Sequence, residues 1–394
     1  MSITTPGTPT ILNPVTANHQ IPQTVTRGQD GSLTVFYNTA PDFSGTTPVT
    51  SVTAISIGAD GVAGAPFTLQ FPTLPPGTSF DNISVAKLSD GTYVAAINVV
   101  RRAPDGSDIG SSCVLQHYSA TGAASGSSVV LDPAGVTPTG INGYLWVDKI
   151  IATANGGFDL CIDEFGTANS GQRLQTRTSA LALTSTYNFN YQMPAGVSSE
   201  VGTMNETYLP AQNSGILVGG SYSNTAGSSI GIAVDFNTNG SGYGGAQFRA
   251  IPGVTVQAGH EDMVYNIRVS QGQDGVAVIA AMHKSQVLNG QGGGSVDFEI
   301  VIMRVDGNGV QSSSRLPLGT LTFTGTGADQ YKLSDMIIRP DGQIVVAYET
   351  GGSSPQAFLR QFTPLGMPVG DAIPLGFSGG WDAGAALYNT AAGV

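Results

Sequence analysis

Residues 88–97 read LSDGTYVAAI, a short turn signal followed by an apolar, β-rich run, and this phrase returns six times along the chain. A two-residue turn of the Asp-Gly type between such runs is typical of a β-hairpin. The copies are centred about sixty residues apart at Gly31, Gly91, Gly157, Gly215, Gly275 and Gly342. A period of this length in a β-rich chain predicts one small sheet per repeat and a radial arrangement of sheets, which is a β-propeller.

The second copy shows what one repeat contains. Residues 84–88 alternate apolar and polar side chains, Asp90 and Gly91 supply the turn, and 92–100 form the return strand. Residues 112–120 and 127–132 read as a second hairpin. Its turn glycine recurs in four other copies, and the set is Gly61, Gly122, Gly240, Gly309 and Gly366. The third repeat lacks this glycine and is the weakest copy. We therefore expect four antiparallel strands per blade.

The repeats run from near the N-terminus to the C-terminus without a linker, so we expect one all-β domain spanning residues 1–394. Both ends carry strand-like material beyond the six clean copies. We expect residues 1–18 to be a closing or exchanged N-terminal strand and residues 376–394 to be an extra C-terminal strand, because an open sheet edge invites aggregation. Six blades are the first prediction and seven are the alternative.

Composition narrows the classes of partner and location. Charged residues make up 11% of the chain, the formal net charge is −12, and no long basic run is present. Nucleic acid and anionic membrane are therefore excluded as expected partners. No stretch is long and apolar enough for a signal peptide or a transmembrane helix. The uncharged polar surface favours an extracellular or cell-surface protein exported without a cleaved N-terminal signal, for example by type I secretion; a virion protein is the alternative.

Two cysteines, Cys113 and Cys161, fall in neighbouring repeats. Neither lies in a CxxC pair or near clustered histidines, which argues against a metal site there. A disulfide between them and two separate buried thiols both remain open.

Two pairs of phrases carry a family resemblance. LSDGTYVAAI is followed by CVLQHYSATGAASGSSVVL (113–131), and RPDGQIVVAY (339–348) is followed by FLRQFTPLGMPVGDAIPL (358–375). These resemble the "LxDGGFVV…QRYDxxGxxVG" repeats of bacterial RTX-type secreted and surface adhesins. The family's calcium-binding nonapeptides are missing, so its β-roll calcium sites are not carried over. The resemblance implies a hairpin scaffold with a non-catalytic role in adhesion or surface assembly.

The loops before each first strand carry acidic residues that a propeller would bring to one end of its channel. A ring of carboxylates there could hold Ca²⁺, which takes six to eight oxygen ligands. Capping of loop N–H groups by the same side chains is the competing explanation. The candidate metal ligands are Asp81, Asp148, Glu206, Asp262, Asp329 and Asp382.

Aromatic residues cluster in the same loops. Aromatic faces beside carboxylates suit the C–H surfaces and hydroxyls of sugars, although packing between blades would explain them equally. The candidate glycan-binding residues are Tyr144, Trp146, Tyr208, Tyr265, Tyr331 and Trp381.

No motif for nucleophilic, phosphoryl-transfer or dinucleotide chemistry occurs, and the four histidines form no HxxxH pair. We therefore expect a non-catalytic surface protein used for adhesion or self-assembly into a filament, sheath or array, with itself or a cell-surface glycan as partner. The alternative is a glycan-binding propeller or phage receptor-binding protein, and a polysaccharide-degrading enzyme is a distant third.

Overall fold

The computed structural model describes residues 19–378, with gaps in the loops and at a few strand ends. The gaps are 29–31, 41–48, 59–61, 104, 106, 134–142, 167–170, 190–192, 200–204, 210–213, 238–242, 273, 289–292, 325–330 and 352–355. Of residues 205–209 the backbone is described but the side chains are not.

The fold is an all-β propeller of six blades, each with four antiparallel strands; among the described residues, the sheet of the fifth blade carries two additional strands from the preceding part of the chain. The described residues contain no helix. The first three blades are β1 (His19–Arg27), β2 (Leu33–Ala40), β3 (Ser51–Ile57) and β4 (Phe67–Gln70); β5 (Thr78–Lys87), β6 (Tyr93–Arg102), β7 (Asp108–Tyr118) and β8 (Ala124–Leu131); and β9 (Tyr144–Ala152), β10 (Phe158–Phe165), β11 (Gly171–Arg177) and β12 (Leu183–Asn188).

The last three blades follow the same order, with one exchange between the fourth and fifth. The strands are β13 (Ser198–Ser199), β14 (Asn205–Leu209), β15 (Ser214–Gly219), β16 (Ser221–Ser223), β17 (Ser229–Asn237) and β18 (Gln247–Thr255); β19 (His260–Gln271), β20 (Ala277–Leu288), β21 (Gly293–Asp306) and β22 (Gly309–Thr324); and β23 (Lys332–Ile338), β24 (Ile344–Glu349), β25 (Gln356–Phe362) and β26 (Pro368–Ser378). β15 pairs within blade 4, whereas its continuation β16 pairs with β19 of blade 5 and carries β13 on its other side.

The core lies between neighbouring blades. One cluster joins Phe36 and Val52 of blade 1 to Ile97 of blade 2, and another joins Val94 of blade 2 to Phe158 of blade 3. The middle strands are covered on both faces for this reason, and the first eight residues of β6, YVAAINVV, are all buried. Such strands read as continuous apolar runs because neither face meets water.

The hairpin turns differ in detail from the expected two-residue type. In the second repeat the N–H of Leu88 donates to the carbonyl of Thr92 at 2.8 Å and the N–H of Gly91 to the carbonyl of Leu88 at 3.0 Å. Gly91 alone has a positive φ, of 82°, so this is a three-residue turn closed by a left-handed glycine. In the third repeat that glycine is Gly156 rather than Gly157. Gly215 was expected in a turn but lies in β15, opposite Tyr208, because strand pairing continues to Ser214.

The weakest repeat forms a complete blade. At the position of the missing second-turn glycine stands Leu181, with φ of 67°, and its N–H donates to the carbonyl of Thr178 at 2.9 Å. Gly122 makes the same bond to Ser119 in blade 2, at 3.0 Å. A left-handed leucine is strained by about 1–2 kcal/mol. Its side chain is buried in the core shared by blades 2 and 3, and this burial offsets the strain.

The described residues fall into two compact units, one up to Phe189 with blades 1–3 and one from Met193 onward with blades 4–6. The expected closing strand at 1–18 lies outside the described residues. Of the expected extra strand at 376–394, residues 376–378 belong to β26, the fourth strand of blade 6, and the rest lies outside. The single-domain and ring-closure predictions stay predictions.

Candidate functional site

The first strand of blade 3, β9, presents two different faces. Leu145 and Val147 are buried in the core shared with blade 2. The intervening Tyr144 and Trp146 point to the other face, because successive side chains of a strand alternate, and both are half-buried. β9 is an edge strand of its sheet, since it pairs only with β10.

Side chains of blade 2 hold the free edge of β9 in place. The amide of Asn98 donates to the carbonyl of Val147 at 2.9 Å and accepts from its N–H at 3.0 Å. The hydroxyl of Ser111 does the same for Leu145, at 3.1 and 3.0 Å. Buried backbone groups that would otherwise be unpaired are thereby satisfied. Tyr144 and Trp146 therefore stand on a strand whose position is fixed.

A β-bulge sets which residues face Trp146. β9 and β10 pair Lys149 with Cys161 but Val147 with Ile162, so Asp148 is the extra residue between them. The one-residue shift places Asp163 opposite Trp146 and Phe165 opposite Tyr144. Directly opposite residues share a face of an antiparallel sheet. The bulge thus gathers aromatic and acidic side chains on one face, as bulges near functional sites often do.

Three rings pack together on this face, and we call them the ring cluster: Tyr144, Trp146 and Phe165. The ring centroids of Tyr144 and Phe165 are 4.9 Å apart, those of Trp146 and Phe165 are 5.0 Å apart, and those of Tyr144 and Trp146 are 5.4 Å apart. Each ring is half-buried. The Tyr144 hydroxyl donates to the carbonyl of Asp108. The cluster therefore combines fixed aromatic faces with partial exposure.

Asp148 and Asp163 form a carboxyl pair beside the ring cluster. Burial, followed by the charge of Asp163 and a hydrogen bond to it, raises the pKa of Asp148 well above its ordinary value. Two adjacent carboxylates in a buried setting cannot both ionise, so the protonated Asp148 donates to Asp163 and the pair shares one proton. The Oδ2 atom of Asp148 is buried and has no hydrogen-bond partner among the described residues.

A second charged cluster crosses the four strands of blade 5. The imidazole of His283 (β20) contacts Asp262 (β19) through Nε2 at 2.9 Å and Glu299 (β21) through Nδ1 at 2.6 Å. Arg315 (β22) donates from Nε to both oxygens of Glu299, at 2.9 and 3.0 Å. Burial alone would lower the pKa of His283, but the two carboxylates outweigh it and the pKa is raised. Two cations therefore balance two anions.

The six candidate metal ligands have different fates. Asp81 lies at a bulge in β5, Asp148 belongs to the carboxyl pair, and Asp262 belongs to the blade 5 cluster. Asp329 and Asp382 lie outside the described residues, and of Glu206 only the backbone in β14 is described. Within the described ranges no three His, Cys, Asp or Glu side chains form a group that could hold a metal ion. The calcium ring as a whole stays a prediction.

The six candidate sugar-binding aromatics also divide. Tyr144 and Trp146 belong to the ring cluster. Tyr265 and Tyr331 are only 6% and 8% exposed and pack in the core between blades 5 and 6, where the Tyr265 hydroxyl donates to the Tyr331 carbonyl at 2.7 Å. The packing explanation therefore holds for these two. Trp381 lies outside the described residues, and the side chain of Tyr208 is not described.

Sequence reasoning missed Asp163 and Phe165, as well as His283, Glu299 and Arg315. The alternation in FDLCIDEF (158–165) places Asp163 and Phe165 on one face, and that signal was available. Their pairing with Trp146 and Tyr144 depends on the bulge, which carries no sequence signal of its own.

Cys113 and Cys161 form no disulfide, and both are completely buried, in different blades. Burial raises the pKa of the Cys113 thiol, which makes it unreactive. Among the described residues, no helix is long and apolar enough to span a membrane.

No protein-family model and no curated protein sequence matches the chain. Solved structures resemble it at low identity. A polysaccharide lyase described as an ulvan lyase has 12% identity and a TM-score of 0.48, covering 88% of this chain and 81% of its own. The α-L-arabinofuranosidase of Fusarium graminearum has 13% identity and a TM-score of 0.48, and the match covers 84% of this chain and 88% of that one. The leech intramolecular trans-sialidase has 10% identity and a TM-score of 0.41, and the match covers 89% of this chain and 69% of that one. With TM-scores below 0.5, these likenesses lead to no conclusion about activity or ligand.

Proposed function

We propose that this protein binds carbohydrate through the ring cluster of blade 3. The observation that carries the proposal is the packing of Tyr144 and Trp146 with Phe165 of β10, at centroid distances of 4.9–5.4 Å, on a strand fixed from behind, with each ring still partly exposed. Rigid aromatic faces bury the apolar C–H face of a sugar at little cost in side-chain entropy. The core aromatics Tyr265 and Tyr331 lack this exposure and serve as the contrast within the same chain.

The carboxyl pair favours binding over hydrolysis. A retaining glycosidase separates its two carboxyl groups by about 5 Å, and an inverting one by more, to leave room for the sugar or a water. Asp148 and Asp163 instead interact with each other, and Asp163 raises the pKa of the buried Asp148. We propose that they support the ring cluster and that the site has no turnover.

The test is calorimetric titration with a panel of neutral oligosaccharides, comparing the wild type with Trp146→Ala and Tyr144→Ala. We expect each variant to bind at least about tenfold more weakly, because aromatic residues at the centre of a contact carry much of its free energy. The matched control is Phe358→Ala, which removes a half-buried ring of blade 6 stacked on Tyr348 at 5.5 Å.

Two results would count against the proposal. If the wild-type protein binds none of the oligosaccharides in the panel, the proposed carbohydrate binding is wrong. Unchanged affinity in the Trp146 and Tyr144 variants, with binding intact, would place the site elsewhere.

Adhesion and self-assembly at a cell surface, and export without a cleaved signal, stay predictions. They depend on the terminal segments 1–18 and 379–394, which lie outside the described residues, and on the resemblance to RTX-type repeats. A glycan-binding propeller is compatible with an adhesive role.

A further inference from the structure

The rim of the ring cluster is formed by blade 2. The Tyr144 hydroxyl donates to the backbone carbonyl of Asp108 at 3.1 Å, so the beginning of β7 meets the cluster. The Asp108 carboxylate pairs with Arg102 Nε at 3.2 Å, and both side chains are more than half exposed. Asp81 lies at the bulge of β5 within electrostatic reach of both.

The charges at this rim do not cancel. Two carboxylates, Asp81 and Asp108, face one guanidinium, that of Arg102. Burial is the largest cause of the raised pKa of Asp81; the charge of Asp108 adds to it and the charge of Arg102 opposes it.

We infer that the ring cluster recognises a polysaccharide of hexosamine units with free, protonated amino groups, and this inference rests on the proposed function. An ammonium group is attracted to an aromatic face and to nearby carboxylates, where it donates charge-assisted hydrogen bonds. A uronic acid or sulfated sugar would meet the rim with like charge, and the chain's net charge of −12 adds to that repulsion. A neutral sugar would gain only the stacking contact.

The experiment compares four β-1,4-linked hexasaccharides that differ in one substituent: glucosamine, N-acetylglucosamine, glucose and glucuronic acid. Titrations are made at a mildly acidic pH, where the amine is protonated, and at low and high salt. We expect the glucosamine hexamer to bind about tenfold more tightly than the glucose hexamer, and added salt to reduce this advantage. Equal affinities for glucosamine and glucose hexamers, or tighter binding of the glucuronic acid hexamer, would overturn the inference.

Two exposed variants sharpen the test because they act in opposite directions. Asp108→Asn removes a rim anion and should lower the ratio of glucosamine to glucose affinity by about threefold, whereas Arg102→Gln removes the rim cation and should raise it by a similar factor. Neither side chain is in the core, so the folded state should survive both changes. An unchanged ratio in both variants would overturn the inference.

The failures of the inference and of the proposed function are distinguishable. If the glucose and glucosamine hexamers bind equally and Trp146→Ala weakens both, the ring cluster binds sugar without selecting amines. If Trp146→Ala changes neither affinity, the proposed function fails and the inference fails with it.

Discussion

Blades 3 and 5 each bury a group of carboxyl groups, but their negative charge is reduced in different ways, by protonation in blade 3 and by neighbouring cations in blade 5. In blade 5 the carboxylates of Asp262 and Glu299 are matched by His283 and Arg315, in a chain of contacts that crosses all four strands. In blade 3 the pair Asp148 and Asp163 is held together by a shared proton. The aromatic rings beside that pair remain partly exposed.

This contrast separates a structural cluster from a site. Balanced charges with well-formed hydrogen bonds brace a blade, whereas a perturbed acid beside an accessible surface is typical of a functional site. The bulge that creates the blade 3 arrangement also keeps Val147 and Ile150, on either side of the extra residue Asp148, in the core shared with blade 2. The difference predicts that removing charge should destabilise blade 5 and stabilise blade 3.

The largest effect should follow from His283→Leu. The substitution leaves Asp262 and Glu299 buried without their shared cation, and such a loss costs about 3–5 kcal/mol of unfolding free energy. Chemical denaturation measures it. The control is His117→Leu, because His117 is only half-buried and contacts the hydroxyl of Thr92 at 3.0 Å. A cost for His283→Leu no larger than the control's would show that the blade 5 cluster does not brace the fold.

Asp148→Asn should stabilise the fold, in contrast to His283→Leu. A raised carboxyl pKa means that folding disfavours the ionised form, so stability is lost as the pH rises above the unfolded-state value of about 3.9. An amide removes this penalty, and each tenfold shift in the ionisation equilibrium is worth about 1.4 kcal/mol. Thermal denaturation at neutral pH should therefore show a higher Tm than the wild type, with little gain in acid. A lower Tm at neutral pH would contradict the shared-proton pair.

The smallest expected effect is on the pH dependence of the stability that the blade 5 cluster contributes. The raised pKa of His283 means that its contribution is present below its unfolded value, about 6.5, and is lost as the pH rises through the folded value. Burial opposes ionisation of Glu299, yet His283 and Arg315 lower its pKa, so its contribution is present above about 4.3 and is lost in acid. Blade 5 should be most stable at mildly acidic pH.

Melting curves of the wild type and His283→Gln between about pH 5 and pH 9 test this profile. The variant should be less stable at mildly acidic pH and should lose less stability than the wild type on going to alkaline pH. Parallel profiles would show that His283 does not titrate with folding.

Much of the fold could be predicted from the sequence. The turn glycines Gly91, Gly122, Gly275, Gly342 and Gly366 all take positive φ values, and the four strands of the second repeat form one sheet as expected. Sequence could not show that Leu181 would take the place of a glycine in blade 3. That substitution works because the leucine side chain is buried in the neighbouring core, a tertiary effect outside local propensity.

The site was only half predictable. Tyr144, Trp146 and Asp148 stood out because acidic and aromatic residues cluster ahead of each first strand; the structure places all three within β9 rather than in a loop. An unbulged β9–β10 hairpin would place Asp163 opposite Val147, so the carboxyl pair depends on a one-residue shift. In blade 5, Asp262 was expected to face a cation site, but strand pairing gave it His283 as a partner.

The most direct test of the account uses the chain's two tryptophans. Trp381→Phe leaves Trp146 as the only indole, so its fluorescence reports on the ring cluster alone. Titration with the glucosamine hexamer should change the emission of Trp146 in a saturable way, with the affinity found by calorimetry. Calorimetric binding of the same hexamer with no change in Trp146 emission would contradict the claim that blade 3 is the carbohydrate site.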